Sequence, residues 1–476
     1  MSFQATVKPL MQPAQLGVVL RPLGQLAVVL TALISVPTLV ALLEGDRLLG
    51  LRLLLCALLP ATVLAAFALI PASGRPLRPN EALVVTVLTF VITALLMILP
   101  LARAGLSPTD AWFEAVSGVT TTGLTMIADP AGCSDAFLFA RAWLQWIGGL
   151  GIVVLSLALV RDRAGDLRRF ADAVGDEDLE LGVRSHARHV VAVYLLLTAA
   201  GLALVSAVGM PWPAAPIHTL AALSTGGFGM AADSLAGLAQ SPQLALLAVA
   251  LCGALPLPLY YRVWTHGPLA LLRDPELQAL IAAIAAVSAL LWLLGGLVPV
   301  DAVVQAAMAQ TTTGFSSVDV GALPDQAKLV LILSMLVGGG VGSTAGGIKL
   351  LRLLILIRAI QLAVLRAQLP RHAVVQARVG EEGLDAPQIE QALLLILLFI
   401  LLVTGAWLAF VAAGHPPLDA LFDVVSAAAT VGLSTGITGP ELEPWLKTLL
   451  TLVMLAGRVE IVALLVLLYP RTWLRP

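Results

Sequence analysis

The chain has 476 residues, of which 59% are hydrophobic and 12% charged, with a formal net charge of −2 and a mean hydropathy of +0.97. So much apolar surface excludes a soluble globular domain and points to an integral membrane protein. Cys56, Cys133 and Cys252 are scattered without metal-ligand spacing, which excludes a disulfide framework and a zinc site.

In chain order, Val18–Leu43, Leu48–Ile70, Ala82–Leu101 and Ile389–Ala413 are apolar runs close to or longer than the ~20 residues that cross a hydrocarbon core. None reads as a barrel strand, so the spans are helices that satisfy their own backbone. Lys8 precedes the first run and Arg21 lies near its start, without a small-residue cleavage site nearby, so no cleaved signal is expected. The first two runs form an N-terminal hairpin (1–72). Four units of like construction follow, at 73–165, 183–267, 274–372 and 385–476. Their paired outer helices are expected near 80–103 and 136–160, 187–209 and 243–264, 277–298 and 328–367, and 387–413 and 444–469. The fold class is an all-α membrane protein of about ten membrane helices, with both ends on one side.

Each unit carries Thr-x-Gly followed by Leu or Phe. The segments are Thr121-Thr122-Gly123-Leu124, Thr225-Gly226-Gly227-Phe228, Thr312-Thr313-Gly314-Phe315 and Thr430-Val431-Gly432-Leu433. One such tripeptide is an ordinary turn. Four at equivalent places are what a ring of backbone carbonyls around a dehydrated cation requires, and glycine tolerates the backbone conformations involved. Threonine two positions earlier can add its carbonyl or hydroxyl, and the Leu or Phe would wedge the turn against neighbouring helices. Thirteen residues before the glycine stands Asp110, Asp301 or Asp419, with Ala214 in unit two. An acid there suits the start of a short helix. About ten helical residues then span ~15 Å, too short to cross, so each unit holds a re-entrant pore helix. Phe113-Glu114-Ala115-Val116-Ser117 aligns with Phe422-Asp423-Val424-Val425-Ser426, while His218 breaks the acidic pattern.

The loops 104–134, 210–242, 299–327 and 414–446 contain no Lys or Arg and hold 3, 1, 3 and 4 acids. The opposite loops carry Arg75 and Arg78, Arg161 through Arg188, Arg262 and Arg273, and Lys349 through Arg378. The termini add Lys8, Arg21, Arg471 and Arg475. The positive-inside rule therefore places both termini in the cytoplasm and the patterned loops outside, where their acids would attract cations. Arg103, Arg141 and Lys447 lie near outer span ends, where long side chains snorkel.

Between Gly338 and Gly347 the chain reads Gly338-Gly339-Gly340-Val341-Gly342-Ser343-Thr344-Ala345-Gly346-Gly347, within an apolar span. Each glycine costs ~1 kcal/mol relative to Ala in a helix, so the helix should break here and form a gate beneath the filter. The same spacing (Gly338, Gly342, Gly346) also serves close helix packing. The segment fits a dinucleotide pattern and Gly432-Leu433-Ser434-Thr435-Gly436 a hydrolase elbow, but neither has the required strand context. Arg458 and Glu460 interrupt the last span; such charges usually face the interior or a cavity. Arg458 could screen the pore, held by Glu460 or by gate carbonyls, or tether two helices away from the ion path.

With Gln145-Trp146-Ile147-Gly148-Gly149-Leu150-Gly151 and Gly457-Arg458-Val459-Glu460 added, nearly the whole chain resembles the Trk/Ktr/HKT superfamily of potassium transporters, most closely its bacterial TrkH/TrkG branch. The resemblance implies potassium as the transported substrate, with no bound cofactor, and a filter at Thr121–Gly123, Thr225–Gly227, Thr312–Gly314 and Thr430–Gly432. It also implies a gating loop at Gly338–Gly347, a pore arginine at Arg458 and a bacterial inner-membrane location. A homodimer with one pore per protomer and a cytosolic nucleotide-binding regulatory ring of the TrkA type complete it. Serine in place of Gly123 goes with sodium permeation in the family, and Gly226 replaces a bulkier residue. Two mechanisms follow: a potassium-selective, channel-like permease, or a symporter coupled to protons or sodium, for which Arg458 and Glu460 are the candidate titratable pair. An intramembrane enzyme lacks a paired nucleophile and base, and would need His415 close to Ser434. No nucleic-acid partner is expected.

Overall fold

The computed structural model describes residues 13–71, 77–160, 179–370, 378–380 and 382–473. Lys8, Arg75, Arg161, Arg163, Arg168, Arg169, Arg371 and Arg475, used above to orient the loops, lie outside the described residues. The N-terminal hairpin is α1 (Leu16–Leu43) and α2 (Arg47–Leu59). Asp46 caps α2 by accepting from Leu49 N at 3.1 Å, and its carboxylate also receives Arg103 Nε and Ser134 Oγ.

Unit one is α3 (Pro79–Leu101), pore helix α4 (Pro108–Val119) and α5 (Asp135–Val160). Unit two is α6 (Leu179–Ala207), pore helix α7 (Ala214–Leu223), α8 (Gln240–Ala254) and α9 (Leu257–His266). Unit three is α10 (Pro275–Gly295), pore helix α11 (Pro299–Gln310), α12 (Asp325–Val337) and α13 (Leu350–Gln368). Unit four is α14 (Ala386–Ala412), pore helix α15 (Pro417–Ala428), α16 (Pro444–Val459) and α17 (Ile461–Leu468). Apart from one two-residue antiparallel pairing, Arg378–Val379 with Glu382–Gly383, the described residues are helical or loop.

Among the described residues seven helices are long and apolar enough to cross a membrane, and two bent pairs reach that length together. The sequence reading anticipated one interrupted second helix; the structure has three. In unit three the glycine segment separates α12 from α13. In unit two α8 and α9 meet at 87°, because Leu255 and Pro256 leave the helical conformation. In unit four α16 and α17 meet at 112° at Glu460, whose φ is +66°. Continuous helices at 243–264 and 444–469 are therefore corrected to bent ones. Glycine and proline content flags the first two breaks, but nothing local marks Glu460.

The units close on each other cyclically. Pore helix α4 packs on α16 of unit four, α7 on α5 of unit one, α11 on α8 of unit two and α15 on α12 of unit three. Glycines in the second helices allow the approach. A Cβ on Gly148, Gly253 or Gly457 would stand 1.9, 2.2 or 1.9 Å from the carbonyl oxygen of Val119, Leu223 or Ala428, the last residue of the same unit's pore helix. In unit three Gln310 does this work, donating from its amide to Gly338 O at 2.7 Å and accepting from Ser334 Oγ at 2.9 Å.

Gly457→Ala should therefore destabilise the protein by about 1–3 kcal/mol, as overpacked cores do. Gly405→Ala, on α14 with nothing within 4 Å, should not. Thermal unfolding of the two purified variants checks this; equal melting temperatures would refute the packing argument.

Candidate functional site

Each pore helix ends in the same way. Thr121, Thr225, Thr312 and Thr430 take φ of 55°, 52°, 55° and 51°, the left-handed region. The N–H of the next residue reaches back five positions: Thr122 N to Ser117 O, Gly226 N to Ala221 O, Thr313 N to Met308 O and Val431 N to Ser426 O, all within 2.8–3.0 Å. The threonine N–H closes the inner bond three positions back. This is the Schellman termination, in which the left-handed residue is normally glycine. A β-branched residue there costs on the order of 1–2 kcal/mol, four times over. The sequence reading assigned the strained conformation to the glycines alone; threonine shares it.

The chain then turns again at Gly123, Gly227, Gly314 and Gly432, with φ of 89°, 74°, 76° and 94°. A Cβ on Gly123 would lie 2.2 Å from Gly226 O, one on Gly227 2.2 Å from Thr313 O, one on Gly314 1.7 Å from Val431 O and one on Gly432 2.2 Å from Thr122 O. Unit one faces two, two faces three, three faces four and four faces one. Four turns that are far apart in sequence thus form a closed ring of carbonyl oxygens and bare glycines. All four glycines line one cavity of about 680 Å³ on the side of the Leu/Phe residues, together with Asp233, Asp319 and Arg141. Leu124, Phe228, Phe315 and Leu433, which follow the glycines, are all buried.

Around the ring, in units one, three and four the side chain nine residues before the glycine holds the strand that follows it, whereas His218 of unit two bonds within its own pore helix. Glu114 accepts from Met126 N at 2.9 Å and from Thr125 Oγ1 at 3.0 Å. Asp423 accepts from Thr435 N at 2.8 Å, Thr438 N at 3.0 Å and Ser434 Oγ at 2.7 Å. Gln305 accepts from Ser316 Oγ at 3.0 Å, and His218 bonds Ala214 O. The Glu114/Asp423 alignment was visible in the sequence as a repeat; its work as a strap was not.

Three sequence expectations are corrected here. Arg141 and Lys447 do not snorkel. Arg141 is buried with its Nε 2.8 Å from Glu114 Oε1 and its guanidinium 3.9 Å above the Phe228 ring. Lys447 is buried against Asp110 at 2.6 Å and Pro440 O at 2.8 Å. Consequently the outer acids are not all unopposed: Asp110, Glu114 and Asp419 are neutralised by Lys447, Arg141 and Lys328, basic residues just beyond the loop boundaries. Finally, of the two holders expected for Arg458, Glu460 is excluded, since it pairs with Arg352, and a carbonyl of the glycine segment is the one found. Arg458 instead donates to Thr344 O at 2.6 Å and Gly148 O at 3.2 Å. His415 bonds Glu443 and Ser434 bonds Asp423, so the two do not form a nucleophile–base pair.

The glycine segment fills the space on the other side of the ring. Gly346 N donates to Thr312 Oγ1 at 2.8 Å, and a Cβ on Gly346 would be 2.3 Å from Thr430 Oγ1. Thr344 Oγ1 contacts Thr225 Oγ1 at 3.3 Å and donates to Leu223 O and Gly253 O. The loop also plugs into the break of unit two, with Gly340 N on Ala254 O, Thr344 N on Gly253 O and Leu257 N on Gly342 O, all within 3.0–3.1 Å. Val341 N donates to Glu276 Oε2 at 2.7 Å, and Lys349 caps Ala345 O. Gly338, Gly342 and Gly347 have positive φ, and Gly339 and Gly340 have no room for a side chain beside Ala345, Pro256 and Glu276. Buried Ser343 accepts from Ala345 N at 3.2 Å. Non-helical backbone is tolerated at this depth because protein satisfies it. Of the four left-handed threonines, Thr121 and Thr430 have hydroxyls buried without a hydrogen-bond partner.

The family model for TrkH, a cation transport protein, matches residues 61–282 and 295–472. The chain belongs to that family. It is 31% identical over 482 residues to the Trk system potassium uptake protein TrkI of Halomonas elongata, covering 96% of both chains. The Trk system potassium uptake protein TrkH of Escherichia coli is 28% identical over 83% of this chain and 86% of its own. The crystal structure of the potassium transporter TrkH from Vibrio parahaemolyticus superposes with a TM-score of 0.86 at 26% identity, covering 97% of this chain and all of that one. A TrkH-family chain is a multi-pass transport protein and not an enzyme.

Arg141→Met leaves Glu114 buried and unpaired, and should destabilise the protein by about 3–5 kcal/mol. Adding Glu114→Gln should recover a large part of that. Melting temperatures of the single and double variants decide; a double variant no better than Arg141→Met would show that the ion pair is not what Arg141 contributes.

Proposed function

We propose that this chain carries potassium inward across a bacterial inner membrane as a potassium-selective, channel-like permease. The observation that carries this reading is the closed ring, in which every unit presents a carbonyl against its neighbour's bare glycine. A cation losing its water there meets fixed oxygens of matching number and field. The residues assigned to the filter are Thr121, Thr122, Gly123, Thr225, Gly226, Gly227, Thr312, Thr313, Gly314, Thr430, Val431 and Gly432. The four strained threonines favour the same reading, because glycine would serve a mere turn at lower cost but would bring no hydroxyl. The relatives named above as potassium uptake proteins supply the ion.

The segment Gly338–Gly347, with Arg458 as its latch, is the gate in this reading. It blocks the ring on one side and is held by hydrogen bonds that a displaced loop would release. Glu460 belongs to the gate region through Arg352, whose guanidinium it pairs with. Coupled symport is not favoured, since Arg458 and Glu460 do not form the mid-membrane pair it called for. The reading includes cytoplasmic termini, a homodimer in membrane lipid with a pore in each protomer, and a TrkA-type nucleotide-binding ring docking on inner basic residues such as Arg262, Arg273 and Arg358.

Purified protein in proteoliposomes should take up radiolabelled rubidium in preference to sodium. Gly123→Ser forces a Cβ against Gly226 O and should reduce that preference by about tenfold or more, since 1.4 kcal/mol of lost discrimination is a factor of ten. An unchanged preference would sink the filter assignment. Deleting 339–345 should raise rubidium flux at least several-fold in correctly folded protein, with selectivity kept; flux equal to that of the full chain would remove the gate.

A further inference from the structure

In units one, three and four the residue between threonine and glycine is β-branched: Thr122, Thr313 and Val431. Such residues have restricted backbone and χ1 freedom, which resists rotation of the peptide whose carbonyl faces the ring. Thr122 and Thr313 are further pinned by hydroxyl contacts of 2.8 Å to Thr120 and Thr311. Unit two has Gly226, the freest residue available, so its carbonyl is the one prone to swing out. Backbone strain does not explain this glycine, because its φ is not positive.

The space a side chain would take there is filled from another unit. A Cβ on Gly226 would be 2.4 Å from Cδ of Gln145, and its three nearest atoms all belong to that side chain. Gln145 lies on α5 of unit one and is fully buried. Its Nε2 donates to Gly226 O at 2.5 Å and its Oε1 accepts from Phe228 N at 3.1 Å. One amide therefore grips the turn on both sides of Gly227. Among the described residues no other side chain donates to the matching carbonyls of Thr122, Thr313 or Val431.

We infer that Gln145 is a specificity-determining positioning residue, a clamp supplied by unit one that replaces the missing β-branched side chain of unit two and keeps the Gly226 carbonyl in the ring. This rests on the filter reading above. It also explains why Gly226 departs from the other units: glycine and glutamine share one volume, and either solution excludes the other.

The test is a swap on the full-length protein, reconstituted in proteoliposomes, with the rubidium-over-sodium flux ratio as readout. Gln145→Met keeps the volume and removes the donor; it should lower the ratio about three- to tenfold, the worth of one hydrogen bond. Gln145→Ala should do the same. Gly226→Thr alone should lower flux or selectivity through its clash with Gln145. In the Gln145→Ala background, Gly226→Thr should restore the ratio to within about twofold of the unmutated protein, the coupling expected of residues in contact. There the threonine regains a hydroxyl partner in Ser224, as Thr122 and Thr313 have in Thr120 and Thr311. A Gln145→Met protein with an unchanged ratio overturns the clamp, as does a double variant no better than Gln145→Ala. An unmutated protein that passes sodium as readily as rubidium overturns the filter reading itself, and the clamp with it.

Discussion

The molecule is organised around a place where four backbones come too close for any side chain. At Gly123, Gly227, Gly314 and Gly432 a methyl group would penetrate the neighbouring carbonyl, and each contact fixes the next unit until the circle closes. Close-packed interiors transmit such constraints outward. The pore helices must end at one level, so each stops in a left-handed threonine. The second helices must let those ends approach, so they carry Gly148, Gly253 and Gly457. The strands leaving the ring must not drift, so Glu114, Gln305 and Asp423 strap them to the helices that precede them.

Fourfold architecture in a single chain permits unequal solutions to one problem. Below the ring, unit one keeps a straight second helix, while the other three are bent or interrupted. Behind it, two units fix the middle residue by paired hydroxyls, one relies on the β-branched Val431 itself, and one uses a borrowed glutamine. Charge is distributed unequally too. Arg141 is buried in unit one against Glu114, whereas the equivalent acid of unit four, Asp423, is satisfied by backbone amides and hydroxyls. The ring therefore presents similar oxygens supported by four different surroundings.

Much of this was legible in the sequence. Span lengths, the repeated Thr-x-Gly and the dense glycines required only hydrophobic length and backbone freedom to interpret, and the helix break at Gly338 followed from propensity. What stayed hidden depended on partners far away in the chain. Arg141 read as a snorkelling residue because Glu114, 27 positions earlier, was not known to face it. Arg458 and Glu460 read as a pair because they are neighbours in sequence; the bend at Glu460 sends them to Thr344 and Arg352 instead. Gln145 drew notice only as part of a motif, since nothing local says that its amide ends beside Gly226. The 24–26 residues separating each ring glycine from Gly148, Gly253, Gly338 and Gly457 were a signal available for reading, visible once the repeats are aligned on the ring.

The socket between α8 and α9 has a consequence for any movement of the loop it holds. Ala254 O, Gly253 O and the amides of Gly340 and Thr344 satisfy each other there, deep in a low-dielectric interior. Withdrawing the loop bares all of them at once, and a bared peptide group without a replacement partner is prohibitively unfavourable in such surroundings. Solvent must flood the vacated volume as the loop departs. On the gate reading proposed above, unblocking and wetting would be one event, with no vacant, dry passage between them.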